Sequence, residues 1–288
     1  MEVGQKEQYT RRFTQEDFDR FAVLTGDDNP IHVDPVFSAQ TRFSRTVAHG
    51  MLLYATICRV LNTSLPGPGS LQIKQEMMFQ HPTYTDTEIT ATLDVTAVQS
   101  AKHPAEIHTV IQLPDGNLAL DGRAIIWLPG WQDGFPGIDE RMTDTETTET
   151  QTFKHLEIGQ TVFAKRTFTW EDLAEYADLT GDANPLHTNP DYARRAGFKD
   201  VIIPGPLLSG MFSNLLGTKL PGRGTNWLKQ VLYFPAPAYR DDTITARVEI
   251  IRLRPHKDLV NLRDTCTNSA GELVCQAHSL VLVKDLEI

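Results

Sequence analysis

The chain repeats itself once, and that fact narrows the possible folds more than anything in its composition. His187 stands 155 positions after His32, and the same offset carries Phe13 through Val98 onto Phe168 through Leu253 without a gap. Phe13-Thr14 falls on Phe168-Thr169, Leu65-Pro66-Gly67 on Leu220-Pro221-Gly222, and Ile89-Thr90-Ala91 on Ile244-Thr245-Ala246. Each copy is long enough to enclose a core, so the pattern predicts a duplicated domain and not a solenoid of short units. The expected organisation is a first repeat over residues 1–128, a linker over 129–156 and a second repeat over 157–288. Turns at Pro129-Gly130 and Phe135-Pro136-Gly137 mark the linker, followed by a polar run rich in Thr and Glu from Thr143 to Thr152.

Within each repeat the hydrophobic period changes from helical to extended. Thr14-Gln15-Glu16-Asp17 has the form of a capping box with Asp as its last member. It opens an amphipathic helix whose apolar face is Phe18, Phe21, Ala22 and Leu24, and Gly26 suits its C-cap. A second short helix is expected from Pro35 through Thr41. Gly50 then opens a helix over Met51 to Leu61 that is apolar on nearly every side, and its counterpart runs from Pro206 to Leu216. A helix of that kind must be buried. Four alternating runs follow, Gly69 to Phe79, Glu88 to Val98, Glu106 to Leu113 and Leu118 to Leu128, parted by turns such as Pro114-Asp115-Gly116. The fold class is therefore α+β, with an antiparallel sheet wrapped around one buried helix in each repeat.

Between the two helices lies a stretch that carries chemistry. Residues Gly26 to Pro35 and Gly181 to Pro190 each place an Asp five residues before a His, across an Asn-Pro turn. The pairs are Asp27 with His32 and Asp182 with His187. A carboxylate and an imidazole so placed can share acid and base duty, and partial burial brings their pKa values towards neutrality. Asn29 and Asn184 are expected to brace the loop through its backbone. His49, just before the buried helix, is expected to be structural. The bland alternative for the pairs is a well-braced turn, and finding the pair twice weighs against it.

Composition excludes other classes. The net charge of −10 argues against nucleic acid as the main partner. No apolar run approaches the roughly 20 residues that span a membrane. The first residues lack a secretory pattern and the last four are no organelle address, so a cytoplasmic protein is expected. Cys58, Cys266 and Cys275 form no CxxC, the histidines lie at no metal-ligand spacing, and no GxGxxG follows a strand. No metal and no dissociable cofactor is expected. Lys74, Lys229, Arg45, Arg223 and Arg240 are read as solvated charges, any of which a phosphate can meet.

Leu24-Thr25-Gly26-Asp27-Asp28-Asn29-Pro30-Ile31-His32, followed by Val47-Ala48-His49-Gly50-Met51, resembles the MaoC-like family of (R)-specific enoyl-CoA hydratases and related dehydratases. The resemblance covers both repeats and implies a double hot-dog fold whose halves pair as two single-repeat subunits do; a further homodimer is compatible with it. It implies an acyl-CoA substrate and (R)-specific addition of water to a trans-2-enoyl thioester, or the reverse. Asp27, His32, Asp182 and His187 would hold and activate the water. The backbone N–H groups of Gly50 and Gly205 would stabilise the enolate oxygen at the positive end of the buried helix. The second repeat departs from the pattern, with Pro204-Gly205-Pro206 where the first has His49-Gly50-Met51. Dehydration of carrier-bound, branched or dicarboxylic thioesters would use the same residues. A hot-dog thioesterase commonly has an Asp or Glu on the central helix, which neither helix contains. A non-catalytic acyl-CoA-binding module would have less use for two intact pairs.

Overall fold

The computed structural model describes residues 1–98, 104–127 and 150–287. The first repeat runs β1 (Lys6–Arg12), α1 (Gln15–Thr25), α2 (Pro30–Val33), α3 (Pro35–Ala39), α4 (Gly50–Thr63), β2 (Leu71–Phe79), β3 (Glu88–Val98), β4 (Ala105–Gln112) and β5 (Leu118–Trp127). A small hairpin, β6 (Thr152–Phe153) with β7 (Leu156–Glu157), precedes the second repeat. There the order recurs as β8 (Thr161–Thr167), α5 (Trp170–Thr180), α6 (Pro185–Thr188), α7 (Pro190–Arg195), α8 (Gly205–Thr218), β9 (Asn226–Tyr233), β10 (Thr243–Arg254), β11 (Leu259–Thr267) and β12 (Leu273–Leu282). Residues 129–149 of the expected linker lie outside the described residues. Its last residues carry the hairpin, and Leu156 is 1% exposed within the core.

The predicted capping boxes form. Thr14 and Asp17 cap α1 reciprocally, Thr169 and Asp172 cap α5, and Gly26 and Gly181 end these helices at φ 75° and 73°. Only a residue without a Cβ adopts that conformation at little cost. Helices α4 and α8 are buried almost all round, as a continuous apolar run requires. Two elements escaped the sequence pattern. Strands β1 and β8 bury no residue fully and alternate only between exposed and half-buried residues, because they form the two edges of the sheet. Helix α2 is a single turn inside what reads as an Asn-Pro turn.

One ten-stranded sheet, β1-β3-β4-β5-β2-β9-β12-β11-β10-β8, runs antiparallel through both repeats. The seam is β2 against β9, with Gln75 opposite Leu232 and Met77 opposite Gln230. This is the double hot-dog arrangement: two central helices side by side against one curved, continuous sheet. The helices also cross over. Helix α8 packs on α1 of the first repeat, and α4 packs on α5 of the second. The contact is close at Gly210, where a Cβ would lie 2.3 Å from Thr25 Cγ2. Each dyad loop therefore faces the central helix of the opposite repeat. Among the described residues no helix is long and apolar enough to cross a membrane.

Candidate active site

Local structure explains why the Asp and His are five residues apart. Gly26 turns the chain out of α1, and Asp27 follows at once. Asn29 Oδ1 accepts the Ile31 N–H, capping α2, and one turn of helix brings His32 back towards Asp27. The other end of the Asn29 amide donates to Gly217 O at 3.0 Å, tying the loop to α8. His32 Nδ1 donates to Val47 O at 2.7 Å, which leaves Nε2 as the bare nitrogen. Asp27 and His32 are 1% and 8% exposed. Asn184 and His187 repeat these roles, with His187 Nδ1 donating to Ile202 O at 2.7 Å.

The two sites differ in what meets the carboxylate. Ser213 of α8 donates to Asp27 Oδ2 at 2.5 Å, and the Asn29 N–H approaches Oδ1 at 3.4 Å. At Asp182, Asn62 of α4 donates to both oxygens, at 3.0 and 2.9 Å, and the Tyr176 hydroxyl adds a third bond at 3.3 Å. With the Asn184 N–H at 3.3 Å, Asp182 accepts four bonds from protein groups, whereas Asp27 accepts two. Burial pushes the Asp27 carboxyl up, partly offset by His32 and by the bonds from Ser213 and Asn29. Burial also pushes the His32 imidazole down, partly offset by Asp27. Both shifts favour the neutral form of the side chain, and a neutral His32 has a free lone pair on Nε2.

His49 is the N-cap residue of α4 and is fully buried. Its ring stacks on His32 at 3.9 Å between centroids, inclined by 27°, and its Nε2 donates to the Asp27 backbone oxygen at 3.0 Å. The bond ties the start of α4 to the first dyad loop. Asp27, His32 and His49 bring ligand-type atoms within 4.8 Å of one another. Stacked rings send their lone pairs along nearly parallel planes, however, and a metal needs them to converge.

Space separates the sites further. Asp27, His32 and Gly50 line one cavity of about 310 Å³. Asp182, His187 and Gly205 line one of about 50 Å³. Gly50 and Gly205 begin their helices, so their N–H groups have no carbonyl partner within the helix. Each glycine has a ring beside it, since a Cβ would lie 3.0 Å from Phe79 at Gly50 and 2.8 Å from Phe234 at Gly205, but only Gly205 also meets a hydroxyl, that of Tyr54 at 3.1 Å. Tyr54 comes from α4, and Ser209 holds the equivalent place on α8.

Sequence reasoning missed Ser213, Asn62, Tyr54 and Tyr176. Their signal lay in disagreement between the repeats, since the offset pairs Ser213 with Cys58, Asn62 with Gly217, Tyr54 with Ser209 and Tyr176 with Phe21. Among the cations named from sequence, Arg223 lines an adjoining cavity of about 270 Å³. Arg42, not singled out, lines both this and the first site's cavity and pairs with Asp285 at 3.2 Å. Lys74 is not a freely solvated charge: its side chain is 12% exposed, 3.0 Å from Glu76 and over the Tyr233 ring.

The MaoC-like domain matches twice, over residues 2–113 and 153–270. An (R)-specific enoyl-CoA hydratase of Aeromonas caviae is 40% identical over 129 residues, covering 45% of this chain and 96% of that protein. A 3-hydroxybutyryl-CoA dehydratase of Methylorubrum extorquens is 36% identical over 136 residues, covering 47% of this chain and 85% of the relative. Among solved structures, a MaoC-like dehydratase superposes with a TM-score of 0.77 at 19% identity, covering 97% of this chain and 98% of that one. A double hot-dog protein of Mycobacterium tuberculosis gives 0.73 at 16% identity, covering 98% and 95%. These two establish the fold. The paired match, spanning both repeats and both dyad loops, makes this chain a member of the MaoC-like family in double hot-dog form.

Proposed function

We propose that the chain is an (R)-specific hydro-lyase that adds water to a trans-2-enoyl thioester, or removes it from a (3R)-hydroxyacyl thioester, at the first site. The observation that carries this reading is the cavity of about 310 Å³ in which Asp27, His32 and Gly50 share one wall. Water held between His32 Nε2 and Asp27 loses a proton to the imidazole as its oxygen bonds to the β-carbon. The π electrons move towards the thioester carbonyl, whose oxygen is met by the Gly50 N–H at the positive end of α4. Asp27, protonated in its buried setting, delivers a proton to the α-carbon as the carbonyl reforms. Transfer of the proton from His32 back to Asp27 restores the starting state. Acid, base and oxyanion donor all come from the chain, and the overall addition is not a redox reaction, so no cofactor is called for.

Supporting the assignment to the first site, Asp182 accepts four protein bonds where Asp27 accepts two, and Gly205 has the Tyr54 hydroxyl beside it in addition to a ring. Crotonyl-CoA is the test. The enoyl-thioester absorbance should fall and chiral analysis should find the (R)-3-hydroxy product. Release of free thiol would indicate hydrolysis, and an unchanged absorbance across chain lengths would point to a binding module.

A further inference from the structure

The second dyad loop is built as the first is. Thr25 and Thr180 each accept the N–H of the Asp two residues on, at 3.3 and 3.1 Å. Asn29 and Asn184 turn a backbone N–H to that Asp at 3.4 and 3.3 Å, and their side-chain oxygens cap the next helix at 3.3 and 3.1 Å. His32 and His187 fix Nδ1 on a carbonyl at the same 2.7 Å, so each presents Nε2. Gly205 begins α8 as Gly50 begins α4, each with an N–H that has no helix carbonyl to meet. Every group used for hydration at the first site therefore has its counterpart at the second.

What differs is supplied from outside the loop. Helix α4 carries Tyr54, Cys58 and Asn62 at successive turns, and one repeat on the same places hold Ser209, Ser213 and Gly217 of α8. The Tyr54 hydroxyl stands beside Gly205. Cys58 Sγ turns to Gln72 Oε1 at 3.6 Å, where its counterpart Ser213 bonds Asp27. Asn62 donates to both Asp182 oxygens, and Tyr176 of α5, where α1 has Phe21, donates to one of them. A carboxylate offers about four lone-pair positions. With the Asn184 N–H these donors fill four, so a water at Asp182 has to displace one of them. The cavity there is about 50 Å³ against about 310 Å³ at the first site.

We propose that Asp182, His187 and the Gly205 N–H are a complete second site for the hydration of trans-2-enoyl thioesters, held silent by Tyr54, Cys58, Asn62 and Tyr176. The proposal rests on reading the first site as a hydratase. The reaction is the same: the oxygen of water bonds to the β-carbon, a hydrogen passes to the α-carbon, and nothing leaves.

The test starts from the full chain carrying Asp27→Asn, in which only the second site is left to act on crotonyl-CoA. Into it go Tyr54→Ser, Cys58→Ser, Asn62→Gly and Tyr176→Phe, which give the second dyad the residues that stand at the matching places around the first. Restoring acid–base work should raise kcat/KM at least about a hundredfold above the Asp27→Asn parent, with the (R)-3-hydroxy product. Adding His187→Gln should remove the gain. Emptying Tyr54 from the core costs stability, so Asn62→Gly with Tyr176→Phe is made as well; it removes three of the four bonds to Asp182, keeps Tyr54 in place and should gain about tenfold. No gain in a graft that melts cooperatively like its parent, or a gain that survives His187→Gln, overturns the proposal. So does an Asp27→Asn parent that keeps its activity, because the second site would then not be silent. A wild-type chain inert to crotonyl-CoA removes the hydratase reading and this proposal with it, whereas an active wild type, an inactive Asp27→Asn parent and unresponsive grafts remove only the second site.

Discussion

Replacing Asp264 by Asn should abolish a pH-dependent weakness in the second repeat. Asp264 is fully buried on β11, among Gln230 of β9 and Ser279 of β12. The Gln230 amide turns its nitrogen to Asp264 Oδ2 at 3.4 Å, and its oxygen lies 2.9 Å from Ser279 Oγ. Ser279 Oγ is in turn 2.5 Å from Asp264 Oδ2. One hydroxyl hydrogen cannot serve two oxygen acceptors, so the cluster is complete only when Asp264 carries its own proton. Burial drives the same way, pushing the carboxyl up to about 7 against hydrogen bonds from Ser279 and Gln230.

An unfolded Asp titrates near about 3.9. The folded chain holds this proton more tightly, so the stability it contributes is fully present below about pH 4 and is lost as the pH rises through about 7. A displacement of about three units corresponds to about 4 kcal/mol across that window. Asn cannot ionise, and its amide can donate to Ser279 as the acid O–H does. Urea unfolding of both proteins at several pH values between about 4 and 8 should show the variant gaining on its parent by about 4 kcal/mol. A difference that stays constant with pH would refute the protonated cluster. The first repeat is the internal control, because Thr109 stands in place of Asp264 and bonds Gln75 with no ionisable group involved.

Asp27→Asn and His32→Gln should each lower kcat/KM for crotonyl-CoA by about a hundredfold or more, whereas Asp182→Asn should retain most activity; comparable losses at both aspartates would reject the assignment to the first site. Because burial holds the His32 imidazole down, activity should persist below about pH 6.5 and fail only when that ring takes a proton. Ser213→Ala removes a bond that lowers the Asp27 pKa, so the alkaline limb of the kcat/KM profile should move to higher pH. Arg20 joins α1 to α5 through Glu175 and Asp178, both at 2.6 Å, but these groups are partly exposed. Arg20→Ala should therefore cost only about 1 kcal/mol in thermal unfolding, and added salt should shrink that difference.

What the sequence made legible was whatever has a period or a local partner. Helices α1 and α4, four of the five strands in each repeat and the dyad loops all announce themselves within a few residues. Strand β1 did not, because Lys6–Arg12 is polar on both faces and is a strand only through its ladder with β3. The pairing of Ser213 with Asp27 was illegible for a different reason: the residues are far apart in sequence and meet only when α8 crosses to the opposite dyad loop. Asn62 reaches Asp182 by the same crossing. The unequal cavities follow from residues such as Tyr54, which reads as core in sequence and does lie in the core. Its consequence is felt at Gly205, in the other repeat.

That crossing gives the fused chain a freedom that a symmetric pair of single repeats lacks. In a homodimer a tyrosine at the place of Tyr54 would stand beside the first glycine of both central helices, and any change suiting one site would be imposed on its twin. Once the two copies share a chain, α4 can place the Tyr54 hydroxyl beside Gly205 while α8, with Ser209 at the equivalent position, places no such group beside Gly50. The two halves are then free to differ, and their cavities do, at about 310 and 50 Å³. Neither can be cut away, because each dyad loop is still held by the helix of the other.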